Sequence, residues 1–286
     1  MIYVLASAIC SVLVSVLLKL ARRLGLDMAQ LVAWNYAAAV ALAVLLLQPT
    51  LAPLRAPGAP WFALVGLGVL LPTIFLALGA SVRHAGIVRS DVAQRLSLLL
   101  SLLAAFALFG EQLDATKALG CALGLLALLG MVWRTRRGQD AGGAAAWCWP
   151  LLVFVGFGAI DVLFKRVAAA GVPLGTSLLA MFALSLPVAL ALTVWQHLHG
   201  GARFTLRDML GGLLLGLLNF GNIFFYLRAH RALPQHPALV FASMNLGVVV
   251  LGALAGVLLF RERLSRLNLA ALLLALLAIV LLTRGT

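Results

Sequence analysis

The sequence predicts an all-α membrane protein of ten spanning helices, arranged as two inverted five-helix repeats. Three observations predict it: an apolar composition, ten apolar runs of spanning length, and polar residues that recur in register half a chain apart. Of the 286 residues, 64% are hydrophobic and only 10% are charged, with a mean hydropathy of +1.12. A soluble domain must cover its outside with polar groups, and this composition supplies too few. Crossing the hydrocarbon of a bilayer takes about 20 apolar residues as a helix. The runs fall at 2–21, 29–47, 61–82, 90–109, 116–133, 149–167, 176–195, 208–227, 238–259 and 267–283. Backbone amides cannot go unpaired in lipid, so runs of this length are helices.

The repeat rests on two stretches. LFGEQLDATKAL (108–119) matches LFRERLSRLNLA (259–270) at Leu108/Leu259, Phe109/Phe260, Glu111/Glu262 and Leu113/Leu264, an offset of 151. SVLLKLARRLGL (15–26) matches DVLFKRVAAAGV (161–172) at Val16/Val162, Leu17/Leu163, Lys19/Lys165 and Gly25/Gly171, an offset of 146. Leucine matches carry little weight in so apolar a chain; Glu, Lys, Phe and Gly carry it. The chain divides into a first repeat (1–135), a linker (136–146) within the run RTRRGQDAGGAAA, and a second repeat (147–286). Five is odd, so the second repeat enters the bilayer from the opposite side. Inverted repeats of this kind are a recurrent basis for carriers that expose a midplane site alternately to the two faces.

Taken in order, span 1 lacks a charged n-region and a clear cleavage site and reads as a retained helix. Span 2 carries Trp34, Asn35 and Tyr36. The connection Gln48–Pro60 holds four prolines, which stop helices. Pro72, beside Thr73, should bend span 3. Span 4 holds Asp91, Gln94 and Arg95. Asp91 and Arg95 are four apart, the spacing of an intrahelical pair; either they neutralise each other or Arg95 grips an anionic substrate group. Glu111, like Glu262, reads as a cap or interfacial anchor at a helix end. Gly120xxxGly124 on span 5, Gly212xxxGly216 on span 8 and Gly252xxxGly256 on span 9 are small-residue faces suited to close helix packing.

Span 6 holds Asp161 and Lys165, again four apart. Ionisable groups inside a span are costly and mark function unless they find partners or reach the interface. Lys19 and Lys165 sit near helix ends and can extend to headgroups. Asp161 lies deeper and, with Asp91, is the candidate for proton coupling, since low dielectric favours a protonated carboxyl. His197 and His199 read as solvated residues of the connection after span 7. Span 8 offers Asn219, Asn222 and Tyr226, and span 9 offers Ser243 and Asn245. These amides either bond helices together or contact a polar substrate.

A net charge of +13 raises nucleic acid as a partner, but the basic residues cluster at the ends of apolar runs, beside lipid headgroups. Nucleic-acid binding is excluded on that ground. Cys10, Cys121 and Cys148 have no ligand spacing. No HExxH, CxxC or GxSxG motif is present, so no catalytic or metal-binding residue is expected, and no cofactor beyond a coupling proton. Thirteen Lys and Arg fall on the side of the odd-numbered connections and seven on the side of the termini. The positive-inside rule then places both termini outside the cytoplasm.

With these motifs the chain resembles the EamA-like family of the drug/metabolite transporter superfamily. The points of resemblance are the two five-helix halves, the Phe-x-Glu-x-Leu stretch before the last helix of each, and Lys19/Gly25 with Lys165/Gly171. A further one is Tyr226-Leu-Arg-Ala-His-Arg-Ala-Leu-Pro234, similar to that family's link between the third and fourth helices of a repeat. Its first-half counterpart, around Arg83-His-Ala-Gly86, lacks the proline. The resemblance implies a carrier in the cytoplasmic (inner) membrane with a central cavity lined by helices 1–4 and 6–9, the fifth and tenth being peripheral. It also implies cytoplasmic termini, opposite to the charge count. The expected function is a secondary active transporter, exporter or exchanger, of a small polar or amphipathic metabolite such as an amino acid or drug-like compound. The expected partners are that substrate and membrane lipids, in a monomer or homodimer. A lipid flippase and an integral-membrane lipid-modifying enzyme are the alternatives.

Overall fold

Our structure, a computed structural model, describes residues 1–112, 114–133, 145–200, 204–260 and 266–284. Among them are helices and no strand: α1 (Ile2–Arg23), α2 (Met28–Leu47), a short 3-10 turn (Ala52–Arg55), α3 (Trp61–Leu96), α4 (Leu98–Ala107), α5 (Ala115–Trp133), α6 (Ala145–Ala169), α7 (Leu174–Gly200), α8 (Leu206–Ala232), α9 (Pro237–Phe260) and α10 (Arg266–Arg284). Six described helical stretches are long and apolar enough to cross a membrane: Ile2–Ala21, Met28–Leu47, Trp61–Ser81, Leu174–His199, Leu206–Ala232 and Pro237–Leu259. Their outward residues are apolar, Phe62, Leu45 and Leu258 among them, as a lipid-facing surface requires. The protein is a multi-pass membrane protein.

The helix ends follow from local chemistry. Asp27 caps α2 by accepting the Gln30 N–H at 3.0 Å. α8 opens on Thr205 as its cap: the Asp208 N–H donates to Thr205 Oγ1, and that hydroxyl donates to Asp208 Oδ2 at 2.6 Å. The other carboxylate oxygen, Asp208 Oδ1, accepts the Asp27 N–H at 2.9 Å, so one acid ties the starts of α2 and α8 together. The matched glycines of the repeat share one role. Gly25 (φ +69°) and Gly171 (φ +72°) both adopt the left-handed conformation just past the ends of α1 and α6, where a residue with a Cβ is disfavoured.

The chain forms two compact units. The first comprises Met1–Phe75 and Leu163–Arg231, and the second Leu76–Val162 and Ala232–Thr286. Within the first, α2 and α8 run parallel in close contact. A Cβ on Gly212 would lie 2.4 Å from Trp34 Cβ and 2.9 Å from Leu31 O, and one on Gly216 would lie 2.6 Å from both Ala38 Cβ and Asn35 O. α7 packs antiparallel on α2, with the Thr193 hydroxyl donating to Ala29 O (3.0 Å), Tyr36 against Phe182, and Gly175 against Leu47. α3 meets α7 where Gly68 abuts Leu184. Pro72 withholds an N–H from the Gly68 carbonyl at that same point, and the Thr73 hydroxyl donates to Val69 O at 2.7 Å.

Within the second unit, α5 and α10 pack antiparallel, with Gly120 against Leu282 and Gly124 against Ala278. α6 runs alongside the stretch from Ala93 to Ala107: Ala93 clusters with Val153, Gly158 abuts Leu100, and Ser101 meets Asp161. Glu111 is buried, and its Oε2 accepts the Ala238 N–H at 2.7 Å. It caps α9, while Lys117 Nζ stands 3.3 Å from its Oε1.

Several expectations need correction. The connection expected at 83–89 has helical backbone, yet the chain turns back there, since the Ser81 and Ser90 hydroxyls lie 2.6 Å apart. His197 and His199 belong to the last turn of α7, exposed but helical. The Gly252xxxGly256 face does not close on a neighbour at Gly252, where an added Cβ would meet no atom of another element within 4 Å among the described residues. Residues 134–144 of the linker run, Leu113, and Leu264 with Glu262 lie outside the described residues.

Candidate functional site

Five sequence-predicted site residues gather in the first unit, on α2 and α8. Asn35 sits at the closest approach of the two helices, opposite Gly216, and is fully buried. The hydroxyl of Tyr36 beside it lies within reach of its carboxamide, and neither group meets a partner on any other described residue. Trp34 packs against Gly212. Asn219, three residues beyond Gly216 and so on the same face, is buried, and its Nδ2 likewise meets no partner among the described residues. Asn222 behaves differently: its Oδ1 accepts from the Ser7 hydroxyl of α1 at 2.8 Å, and its carbonyl lies 2.9 Å from that hydroxyl. One amide of the pair therefore bonds helices together, while the other keeps hydrogen-bonding capacity unused.

Aromatic rings border these amides. Tyr36, Phe182, Phe220 and Phe224 follow one another at centroid separations of 6.4, 6.1 and 5.9 Å. Tyr226 is buried, edge-on to Phe164 (5.7 Å) and to the His230 ring (4.8 Å).

The two matched lysines part company. Lys165 is buried within the protein, in electrostatic reach of His230, rather than extended to headgroups, because α6 ends against α8 at this level. Lys19 on α1 is only half-buried.

The second unit holds the remaining candidates. Asp161 is half-buried and its Oδ2 accepts from the Ser101 hydroxyl at 2.7 Å, a contact that glycine at 158 permits by letting α4 approach. Gln94 and Arg95 are half-buried near the end of α3, and the Gln94 carbonyl accepts from the Ser97 hydroxyl. The side chain of Asp91 lies outside the described residues. Asn245 spends its Nδ2 on the Phe241 carbonyl of its own helix at 3.0 Å. Sequence reasoning missed Ser7, Ser101 and His230. A lone serine in an apolar run gives no signal, and His230 was legible only as the residue one turn beyond Tyr226. Among the described residues no three His, Cys, Asp or Glu side chains converge as metal ligands would.

Buried amides and acids between packed apolar helices are those of a polytopic membrane protein. Residues 1–133 match the EamA-like transporter family. Over 91% of this chain and 90% of its own length, an uncharacterized protein of Haemophilus influenzae is 40% identical. The chain belongs to the EamA-like family of the drug/metabolite transporter superfamily. A crystal structure of a protein at 19% identity superposes with a TM-score of 0.71, covering 99% of this chain and 96% of that one, a likeness of fold.

Proposed function

We propose that the protein is a secondary active transporter of the cytoplasmic (inner) membrane that exports or exchanges a small polar or amphipathic metabolite by alternating access. Its fold, on this reading, is ten crossings in two inverted five-helix repeats. The observation that carries it is the pairing of corresponding helices. α2 packs antiparallel on α7, its counterpart in the second repeat, and α5 packs antiparallel on its counterpart α10. A twofold axis in the membrane plane produces that arrangement. One contact recurs in detail: Gly216–Ala38 between α8 and α2 corresponds, at offsets of 148 and 146, to Gly68–Leu184 between α3 and α7.

Helix directions support the crossing count. Parallel α2 and α8 must be separated by an odd number of crossings. Counting α3 as two segments parted between Ser81 and Ser90 gives five, and counting α3 and α4 as one gives four. Arg95, Gln94, Asp91, Asp161, Lys19 and Lys165 supply charge and coupling on this reading, with protons as the coupling ions, and Trp34, Asn35, Asn219, Asn222, Tyr226 and Asn245 line the substrate's path. The test is counterflow in proteoliposomes, with substrates found by thermal-shift screening and flux followed under an imposed pH gradient. Saturable flux, much reduced in a folded Arg95→Ala variant, is the expected result. Absence of flux for every compound that binds would end the transporter reading, and unchanged flux in Arg95→Ala would remove that residue from the path.

A further inference from the structure

The crossing of α2 and α8 holds hydrogen-bonding capacity that the protein's own described residues do not use. Asn219 Nδ2 is buried without a partner among those residues, and the Asn35 carboxamide and Tyr36 hydroxyl, within reach of each other, find none on any other described residue. Leaving such groups dry costs more than an ordinary hydrogen bond contributes. The repeat supplies an internal control. At the offsets that relate Gly216–Ala38 to Gly68–Leu184, Asn219 corresponds to Leu71 and Asn35 to Met181, both buried apolar residues. The equivalent crossing of α3 and α7 therefore closes without amides, so packing does not demand them. Asn222, which does bond two helices, has its partner in Ser7.

The surroundings define what the amides can receive. α2 carries no Asp, Glu, Lys or Arg, nor does α7, and α8 carries none between Asp208 and Arg228. Asp208 is engaged at the α8 N-terminus by Thr205 and the Asp27 N–H. Arg228 and His230 lie three turns and more beyond Gly216. On these three helices an ion seated beside Asn35 and Asn219 would find no countercharge in low dielectric, which is strongly disfavoured; the cations on neighbouring helices of the unit are Lys19 on α1, half-buried, and Lys165 on α6, beside His230. An uncharged group with both a donor and an acceptor suits the carboxamides, and the rings of Tyr36, Phe182 and Phe220 suit a planar body.

Resting on the transporter reading above, we infer that the α2–α8 crossing seats an uncharged hydrogen-bonding group of the substrate, a carboxamide or hydroxyl on a planar or apolar body, with Asn35 and Asn219 as its partners. The experiment uses the full-length protein and two isosteric probe pairs, benzamide with benzoate and nicotinamide with nicotinate. Binding is measured in detergent and uptake in proteoliposomes. The amides bind saturably, with each carboxylate weaker by about tenfold or more. Asn35→Leu and Asn219→Leu each lose amide binding by a similar factor while unfolding at or above the wild-type temperature, whereas Asn222→Leu unfolds lower. Where a leucine variant does not fold, the serine variant at that position carries the same comparison. Carboxylates binding as well as amides, neither amide binding, or binding lost only in step with stability would each overturn the proposal. Amide binding without any flux would instead count against transport and leave the seat standing.

Discussion

Replacing Gly216 by alanine tests the α2–α8 contact directly. A Cβ there would stand 2.6 Å from Ala38 Cβ, 2.6 Å from Asn35 O and 3.1 Å from Asn35 Cα. Carbon atoms in favourable contact are about 3.5–4.0 Å apart, so the helices must separate by roughly 1 Å. None of the three atoms can swing aside, since two are backbone and the third is a Cβ fixed to its own helix. Overpacking of this kind costs about 1–3 kcal/mol. The better helix propensity of alanine returns up to about 1 kcal/mol, leaving a net loss of about 1–2 kcal/mol. Gly252→Ala is the control: the added Cβ would meet no atom of another element within 4 Å among the described residues, so it keeps the propensity gain of about 1 kcal/mol without the clash. Thermal unfolding of both variants in one detergent reads the difference. At about 2–4 °C per kcal/mol, Gly216→Ala falls by several degrees and Gly252→Ala rises by a few. Gly216→Ala unfolding at or above wild type would refute the close approach of these helices.

Two further outcomes follow from the repeat motifs. Gly25→Ala and Gly171→Ala meet no steric neighbour, so each should lose about 1 kcal/mol from its left-handed backbone alone, seen as similar drops in unfolding temperature. Glu111→Gln removes the charge facing buried Lys117 at 3.3 Å and should destabilise by about 2–4 kcal/mol. The double variant with Lys117→Met should be more stable than Glu111→Gln alone, as a double-mutant cycle would record.

What the sequence made legible was whatever depends on composition and length. The apolar runs at 29–47, 116–133 and 238–259 fall within a residue of α2, α5 and α9, because lipid admits one solution for a long apolar run. Gly25 and Gly171 were visible as a matched pair, and their shared backbone conformation gives that match its cause. Glu111 was recognisable as a cap, but not that it caps α9, because a partner 127 residues away leaves no local pattern. The amides of span 8 looked alike in sequence. Only the position of Ser7 separates Asn222, which bonds two helices, from Asn219, which has capacity to spare.

The reversal inside α3 shows why local signals failed where length succeeded. The second half of the chain breaks openly: α8 ends at Ala232, Pro234 follows, and α9 restarts with Pro237. The first half has no proline at the matching place, and α3 runs on from Trp61 to Leu96. A straight helix would carry Ser90 about 13.5 Å past Ser81 along its axis, yet the two buried hydroxyls hydrogen-bond at 2.6 Å. Ala77 and Ala93 also share a cluster with Val153. The chain must therefore double back between Ser81 and Ser90 by bending rather than by stopping the helix. A bend of that kind, with Gly86 but no proline, leaves only weak punctuation to read. The constraint that does survive is arithmetic: 36 residues of straight helix would span about 54 Å, against a hydrocarbon core of about 30 Å. The two halves of the chain can thus reach a turn by different local chemistry.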